Sequence, residues 1–303
     1  MPENFNQQII DEFRANHGKV GGPFQDGRLI LLTTTGARTG ARHTTPVAYL
    51  PDGERILIIA SAGGAPSHPD WYHNLLAHPR VTVENGSFTY QADATVLRGE
   101  ERDRVFARAA EANPGWADYQ EKSARVLPVI ALHQVGPPSA QGGPAGFLTA
   151  VHGAFRRELE LIRKEVAASG SSLGAQLRIN CLTLCQGLHY HHTMEDANLF
   201  PTLGERHPEL APVLARLDEQ HRTIKLLLDE LQALISGGTA SPHQESTSGS
   251  EPTPGPASDR LQRQPQPGPD PAFVLAEVER LTVELEAHLD YEEEHILPAL
   301  NPV

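Results

Sequence analysis

Residues 187–201 read GLHYHHTMEDANLFP and set His189, His191, His192, Glu195 and Asp196 within eight positions. On a helix, His191 and Glu195 lie four apart and project from one face, one turn from each other. A second segment repeats the pattern. His288, Glu292 and Pro298 stand at the same separations as His191, Glu195 and Pro201, and an acidic residue follows each glutamate, Asp196 in one case and Glu293 in the other. Two helices of this kind direct two imidazoles and two carboxylates at one point of a bundle interior. His152, in LTAVHGAF, and His221, in LDEQHRTIKLLL, lie among apolar residues of further helical stretches. Imidazole and carboxylate without thiolate suit iron, manganese or zinc. Six ligands exceed the needs of one tetrahedral zinc and suit two metals, with carboxylates bridging them to offset their repulsion. His189, His207, His243 and His295 lack the repeat and read as ordinary surface or core histidines.

Working outward, the spacing predicts four helices after residue 146: about 147–168, 173–199, 209–235 and 272–297. In the third, Ile224, Leu227, Leu228, Leu231 and Leu234 form one apolar stripe. Four such helices predict a four-helix bundle. The stretch from Ser236 to about Pro271, beginning SGGTASPHQESTSGSEPTPGP, cannot build a core and reads as a disordered insert between helices three and four. Such a loop is tolerable because closure entropy grows only logarithmically with length. The Gly/Pro-rich run from Gly136 to Gly146 reads as a boundary. The expected organisation is therefore a first domain over 1–136, a linker over 137–146 and a bundle over 147–300.

Before the boundary the pattern is mixed. Strand-like runs fall at about 29–34, 45–50, 55–61, 81–84, 88–97 and 126–133, and helical ones at about 4–16, 69–77 and 99–112. Turn signals at Pro51-Asp-Gly53 and Asn85-Gly86 join neighbouring strands as hairpins. This predicts an antiparallel, barrel-like α+β domain. Hydrophobic residues make up 39% of the 303-residue chain, enough for two cores. The net charge of −13, with most of the excess acid after residue 136, argues against a nucleic-acid partner. No apolar run approaches the roughly 20 residues that span a bilayer, and the first residues lack the regions of a signal peptide. The expectation is a cytoplasmic protein without stable membrane insertion. Cys181 and Cys185, one helical turn apart in an apolar stretch, read as buried core thiols.

Two further stretches carry chemistry: LILLTTTGARTGARHTTPVAYL and ILIIASAGGAPSHPDWYHNLLAHP. In the first, Thr33, Thr34, Thr35 and Gly36 precede Arg38, Arg42 and His43 between two strands. Hydroxyls, glycine amides and cations at a strand connection can hold phosphate or carboxylate. In the second, a strand runs into Ala60-Ser61 and a Gly63-Gly64 turn, where backbone N–H groups could meet the edge of a flat ring. Trp71 and Tyr72 read as pocket walls or core.

Residues 147–300, apart from the insert, resemble the hemerythrin-like domains of the HHE type. The resemblance rests on His152, the His191/Glu195 pair with LFP after it, His221, and the His288/Glu292 pair with ILP after it. It implies two non-haem irons with terminal histidines and bridging Glu195 and Glu292, and an open position for O2, peroxide or a related species. One departure is Lys225, which stands where oxygen-carrying hemerythrins have a second histidine on the third helix. His192 or Glu293 could supply the missing ligand, and either Glu292 or Glu293 could bridge. Residues 1–136 resemble the deazaflavin-dependent nitroreductase family, a split β-barrel of the FMN-binding-like kind, through TTTGxRTG with a following proline, AS-x-GG and PxWYxNLxAxP. That resemblance implies binding of coenzyme F420 at Thr35, Arg38, Thr39, Gly40, Arg42, His43, Thr45, Pro46, Ala60, Ser61, Gly63, Gly64, Trp71 and Asn74. Arg38, Arg42 and His43 would meet its acidic tail. It implies hydride chemistry on a quinone or nitro acceptor, with Ser61 and Tyr119 near the reacting groups. Ala62 stands where a basic residue is common, and Ala48 where a substrate-side tyrosine is found. The joint expectation is an F420-dependent oxidoreductase fused to a di-iron bundle, with a homodimer as a candidate assembly. The alternatives are a non-catalytic sensor or iron-binding protein, and a reductase using FMN.

Overall fold

The computed structural model describes residues 3–236 and 269–300, so the expected disordered insert lies almost wholly outside the described residues. Six strands close into an antiparallel barrel: β1 (Leu29–Thr35), β2 (Arg42–Asp52), β3 (Arg55–Ile59), β4 (Arg80–Asn85), β5 (Phe88–Val96) and β6 (Val129–Ser139), in the order β1-β2-β3-β6-β5-β4. Closure removes every exposed sheet edge. Alternation decides what fills it. Ile30 and Leu32 of β1 face inward with Val47, Ile58, Val81, Val83, Ile130 and Leu132, while Leu29 and Leu31 face outward under α1 (Glu3–Ala15) and its Ile9, Ile10 and Phe13. The predicted hairpin turns are present, because Gly53 and Gly86 take the left-handed conformation that their turns need.

Three more helices decorate the barrel: α2 (Asp70–Ala77), α3 (Gly99–Ala112) and α4 (Gly115–Lys122). The last has no counterpart in the sequence reading. At eight residues with no fully buried side chain, it carries too weak an apolar stripe to be read. Strand β6 runs to Ser139 and the next helix starts at Gly143, so only residues 140–142 separate them within the Gly/Pro-rich run.

The C-terminal part is a helical bundle built on α5 (Gly143–Ala168), α6 (Ala175–Met194), α8 (Ala211–Ser236) and α9 (Pro271–Leu300), with a short α7 (Phe200–Arg206) after α6. The predicted stripe on α8 is buried at Ile224, Leu227, Leu228 and Leu231, against Leu184 and Leu188 of α6 and Val278, Leu281 and Leu285 of α9. Cys181 and Cys185 lie in this core, where burial pushes both thiols up to about 12 and keeps them unreactive. The single helix expected over 173–199 is interrupted. Residues Glu195–Leu199 form a π-helical turn, a local widening with no signature in hydrophobic spacing.

Barrel and bundle share a buried polar contact. Arg28, just before β1, donates to Glu158 at 2.6 Å and also pairs with Glu165, both on α5, and its side chain is 7% exposed. Gln176 of α6 donates to the Pro51 carbonyl at 2.8 Å, and Lys164 pairs with Asp26. These barrel residues sit at the start of β1 and the end of β2, so the bundle docks on one end of the barrel. Among the described residues no helix is long and apolar enough to cross a membrane.

Candidate metal centre and coenzyme end

The bundle brings all six sequence-derived metal-ligand candidates together and adds a seventh. His152, His191, Glu195 and Glu292 offer ligand atoms within 4.8 Å of one another, and so do His192, Glu195, His221 and His288. Glu195 belongs to both groups. Glu292 joins them too, because its Oε2 lies 3.3 Å from His152 Nε2 and 3.6 Å from His288 Nε2. All these residues are buried except His191, which is nearly so.

The ring orientations are fixed from behind. Nδ1 of His152 meets Glu293 at 2.9 Å, Nδ1 of His221 meets Asp196 at 2.8 Å, and Nδ1 of His288 faces Gln220 Oε1 at 3.3 Å. A carboxylate only accepts, so Nδ1 of His152 and of His221 carries the proton and Nε2 offers its lone pair inward. His221 Nε2 and His288 Nε2 then face each other at 3.2 Å. Two lone pairs repel at that distance. Two nitrogens roughly 2.1 Å from one ion, at an angle of roughly 100°, would stand about that far apart.

Orphaned atoms point the same way. His152 Nε2, His191 Nε2, His192 Nε2 and both carboxylate oxygens of Glu195 and Glu292 are buried without a hydrogen-bond partner. His191 Nε2 and Glu195 Oε1 are 3.2 Å apart, yet too poorly aligned to bond. Seven orphaned polar atoms around one point cost far more than a folded domain tolerates unless something satisfies them. Burial drives His191 and His288 down to about 3 and His192 well below its ordinary value, so these rings are neutral. Burial and the adjacent Glu292 push the Glu195 carboxyl up to about 10. For His152, burial opposes charge but Glu292 and Glu293 outweigh it and raise its value. Three neutral imidazoles with a carboxyl that sheds its proton on loading are a donor set that fits divalent cations.

The geometry bears on two questions left open by the sequence. Glu293 is engaged by His152 and by Arg156 at 2.6 Å, so it stands behind the cluster while Glu292 faces into it. Lys225 is exposed and pairs with Asp229, whereas His192 is 5% exposed and stacks on His221 with ring centres 4.2 Å apart. A cavity of about 90 Å³, lined by His192, Asp196, His221, Arg222 and Lys225 among others, reaches the cluster between α6 and α8.

The coenzyme candidates gather at the barrel end opposite the bundle, where β1 and β3 finish and β2 begins. Gly36 N–H bonds Ala41 O at 2.7 Å, closing a turn that exposes Arg38, Thr39 and Gly40. Asn74 ties this turn to α2. It donates to Thr34 Oγ1 at 3.1 Å and accepts from Ala37 N–H at 3.0 Å, so its amide braces the turn. Thr35, Thr45 and Pro46 are half-buried along the strands. The grouping of Arg38, Arg42 and His43 needs correction. Arg42 pairs with Thr35 and His43 with Thr34 in the β1–β2 register, which puts their side chains on opposite faces, and Arg42 reaches outward to Thr82 Oγ1 at 2.8 Å. The strand expected to reach Ser61 ends at Ile59, because Ala62, Gly63 and Gly64 take three consecutive positive φ values of 50°, 64° and 82°. Trp71 and Ala60 belong to the barrel core, so they back this loop from inside. Tyr119 is half-buried and packs edge-on against Trp116, and its carbonyl and Lys122 lie against Gly64.

Residues 6–134 match the family described as F420H(2)-dependent quinone reductase, and residues 144–300 match the hemerythrin HHE cation binding domain. An F420H(2)-dependent quinone reductase of Mycobacterium tuberculosis is 35% identical over 124 residues, which is 40% of this chain and 83% of the relative. A further putative F420H(2)-dependent quinone reductase of that organism is 30% identical over 103 residues, 34% of this chain and 87% of the relative. A solved F420-H2 dependent reductase is 37% identical and covers 35% of this chain and 94% of its own, with a TM-score of 0.33.

Proposed function

We propose a function that starts from membership of two families: residues 6–134 belong to the F420H(2)-dependent quinone reductase family and residues 144–300 to the hemerythrin HHE cation binding family. The chain is read as a deazaflavin-dependent oxidoreductase acting on a quinone or nitro acceptor, joined to a bundle that holds two metal ions, iron foremost, and meets O2, peroxide or a related small species. The observation that carries the metal half is the pair of four-residue donor groups sharing Glu195 amid orphaned buried atoms. His152, His191, Glu195 and Glu292 would hold one ion, and His192, His221 and His288 with Glu195 the other. His192 takes the place of the ligand that Lys225 cannot provide. Bound metals would supply Lewis acidity or one-electron chemistry there. The protein's own part is to hold His191, His192 and His288 neutral, fix His152, His221 and His288 through Glu293, Asp196 and Gln220, and admit small molecules along the cavity by His192 and Lys225.

At the barrel end, F420 would supply the hydride, and the residues bind and orient. The Arg38 turn suits its phosphate and carboxylate tail, and the loop left-handed at Ala62, Gly63 and Gly64 offers the Ala62 and Gly63 N–H groups to its ring edge. Arg42 has no comparable approach, since it lies on the outer face. Purified full-length protein, given reduced F420 and menadione, should consume the reduced coenzyme. Its metal content should be about two ions per chain, with an optical spectrum that changes on adding O2 or peroxide. Absence of coenzyme binding, or binding of FMN in its place, would reject the barrel half. Absence of stoichiometric metal after reconstitution with ferrous iron would reject the bundle half.

A further inference from the structure

Arg125 lies just beyond α4 and was singled out by no motif. Its Nη2 donates to the Ser61 carbonyl at 3.0 Å, and its Nη1 donates to His68 Nδ1 at 2.8 Å. Its Nε is buried without a partner. The contrast with other arginines is informative. Arg28, Arg55 and Arg156 each meet at least two carboxylates, whereas among the described residues Arg125 has no acidic partner. Burial lowers its guanidinium, and burial together with Arg125 keeps His68 below its ordinary value, so His68 is a neutral acceptor. A cation has thus been placed behind the Ser61–Gly64 loop without a counter-charge.

The Ser61 carbonyl also accepts from Gly64 N–H at 3.0 Å, which closes the loop on itself. Ser61 O belongs to the same peptide unit as the Ala62 N–H. Among the described residues neither the Ala62 nor the Gly63 N–H has an acceptor, and Ala62 holds φ 50° without being glycine. That conformation costs on the order of 1 kcal/mol and persists only when its surroundings impose it. A charge-assisted bond to a peptide oxygen pulls electron density toward that oxygen and makes the N–H across the same bond a better donor.

We propose that Arg125 is a positioning residue for hydride transfer, fixing the Ser61–Ala62 peptide and sharpening the Ala62 N–H as a donor to an electron-rich oxygen or nitrogen of the bound pair. The proposal rests on the reading that the barrel binds F420. The shared chemistry is an electron-rich ring edge, which belongs either to the coenzyme or to the quinone.

The test uses full-length protein with reduced F420 and menadione, comparing Arg125→Met, Arg125→Lys and His68→Phe. Arg125→Met should lower either coenzyme affinity or turnover at saturating coenzyme by roughly 10- to 100-fold. A loss in coenzyme Kd assigns the ring edge to F420, and a loss in kcat at unchanged Kd assigns it to the acceptor. Arg125→Lys should recover at least half of the loss on a logarithmic scale, because it keeps the charge, and a purely structural clamp would not be restored by a lysine lacking the planar fork. His68→Phe should cost roughly threefold, since it frees only one side of the guanidinium. Kd and kcat of Arg125→Met both within threefold of the parent would overturn the proposal. So would a lysine variant as impaired as the methionine one, and if Arg125→Met does not fold, that comparison uses the lysine and His68 variants against the parent. A parent protein that fails to bind reduced F420 would bring down the functional reading itself, and this inference with it.

Discussion

At the open end of the barrel the groups that can meet a ligand are mostly backbone: N–H groups of a turn closed by Gly36 and of a loop held left-handed at Ala62, Gly63 and Gly64. At the middle of the bundle they are buried side chains, five imidazoles and two carboxylates carried by four helices. The first site depends on conformation, so side-chain changes act on it indirectly. The second depends on chemical identity, so removing one donor removes a bond. The two regions also lie on opposite sides of their contact, since the bundle docks at the far end of the barrel from the Gly36 turn. Strand β1, seven residues long, spans about 20 Å between those ends. Direct exchange of electrons between the sites therefore has the barrel in its path, and the fusion is better understood as two centres joined through the Arg28 contact.

The sharpest way to break the contrast is Glu195→Ala. Glu195 serves both groups, so the variant should lose both ions, retaining less than about a tenth of the parent's metal after gel filtration. The parent should also gain roughly 4 kcal/mol of stability per bound ion at a metal concentration about 1,000 times Kd, and the variant should gain none of it. Reduced-coenzyme binding at the barrel should stay unchanged in the same sample. Metal retained at parental level would show that neither ion depends on Glu195 and would break the shared-ligand reading.

Next in size is the frame itself. Arg28→Met leaves Glu158 and Glu165 facing each other without their cation, at a contact where Arg28 is 7% exposed. Breaking such a pair costs about 3 kcal/mol. Calorimetry should show the transition lowered and split into barrel and bundle components. A single unshifted transition would mean that the two parts do not depend on this contact.

How far the sequence led follows the same division. The bundle centre was legible because helix periodicity turns a spacing of four into a shared face, and the His/Glu/Pro repeat states that spacing twice. What it left open was the choice between Glu293 and His192, the latter adjacent to His191 in sequence and about 100° round the helix. Only the packing of α6 against α8 and α9 turns that ring toward His221 and His288. Lys225, a residue that cannot ligate at an expected ligand position, was the one signal that another donor was needed. The barrel was legible as alternating strands and hairpin turns. Its site was not, because strand alternation separates Arg42 from His43, and because no rule of spacing reveals that Ala62 is left-handed or that Arg125 reaches Ser61. The Arg125 contacts join residues 64 and 57 positions apart.

The finest discrimination within the bundle concerns which helix supplies the third imidazole of the second ion. His192→Ala should weaken one of the two ions by on the order of 100-fold and leave the other in place, so metal analysis at limiting metal should fall toward one ion per chain. Lys225 lies one turn after His221 on α8 and beside the same cavity, so a histidine there would share the face of His221. The double variant His192→Ala/Lys225→His should therefore recover the second ion, whereas Lys225→His alone should change the stoichiometry little, since His192 already occupies the position. Cobalt substitution gives an independent readout, because loss of one nitrogen donor alters the ligand-field bands of one ion and not of both. If His192→Ala binds two ions as tightly as the parent, then His192 only packs against His221, and the 3.2 Å approach of His221 to His288 must be relieved by a position that needs no third imidazole.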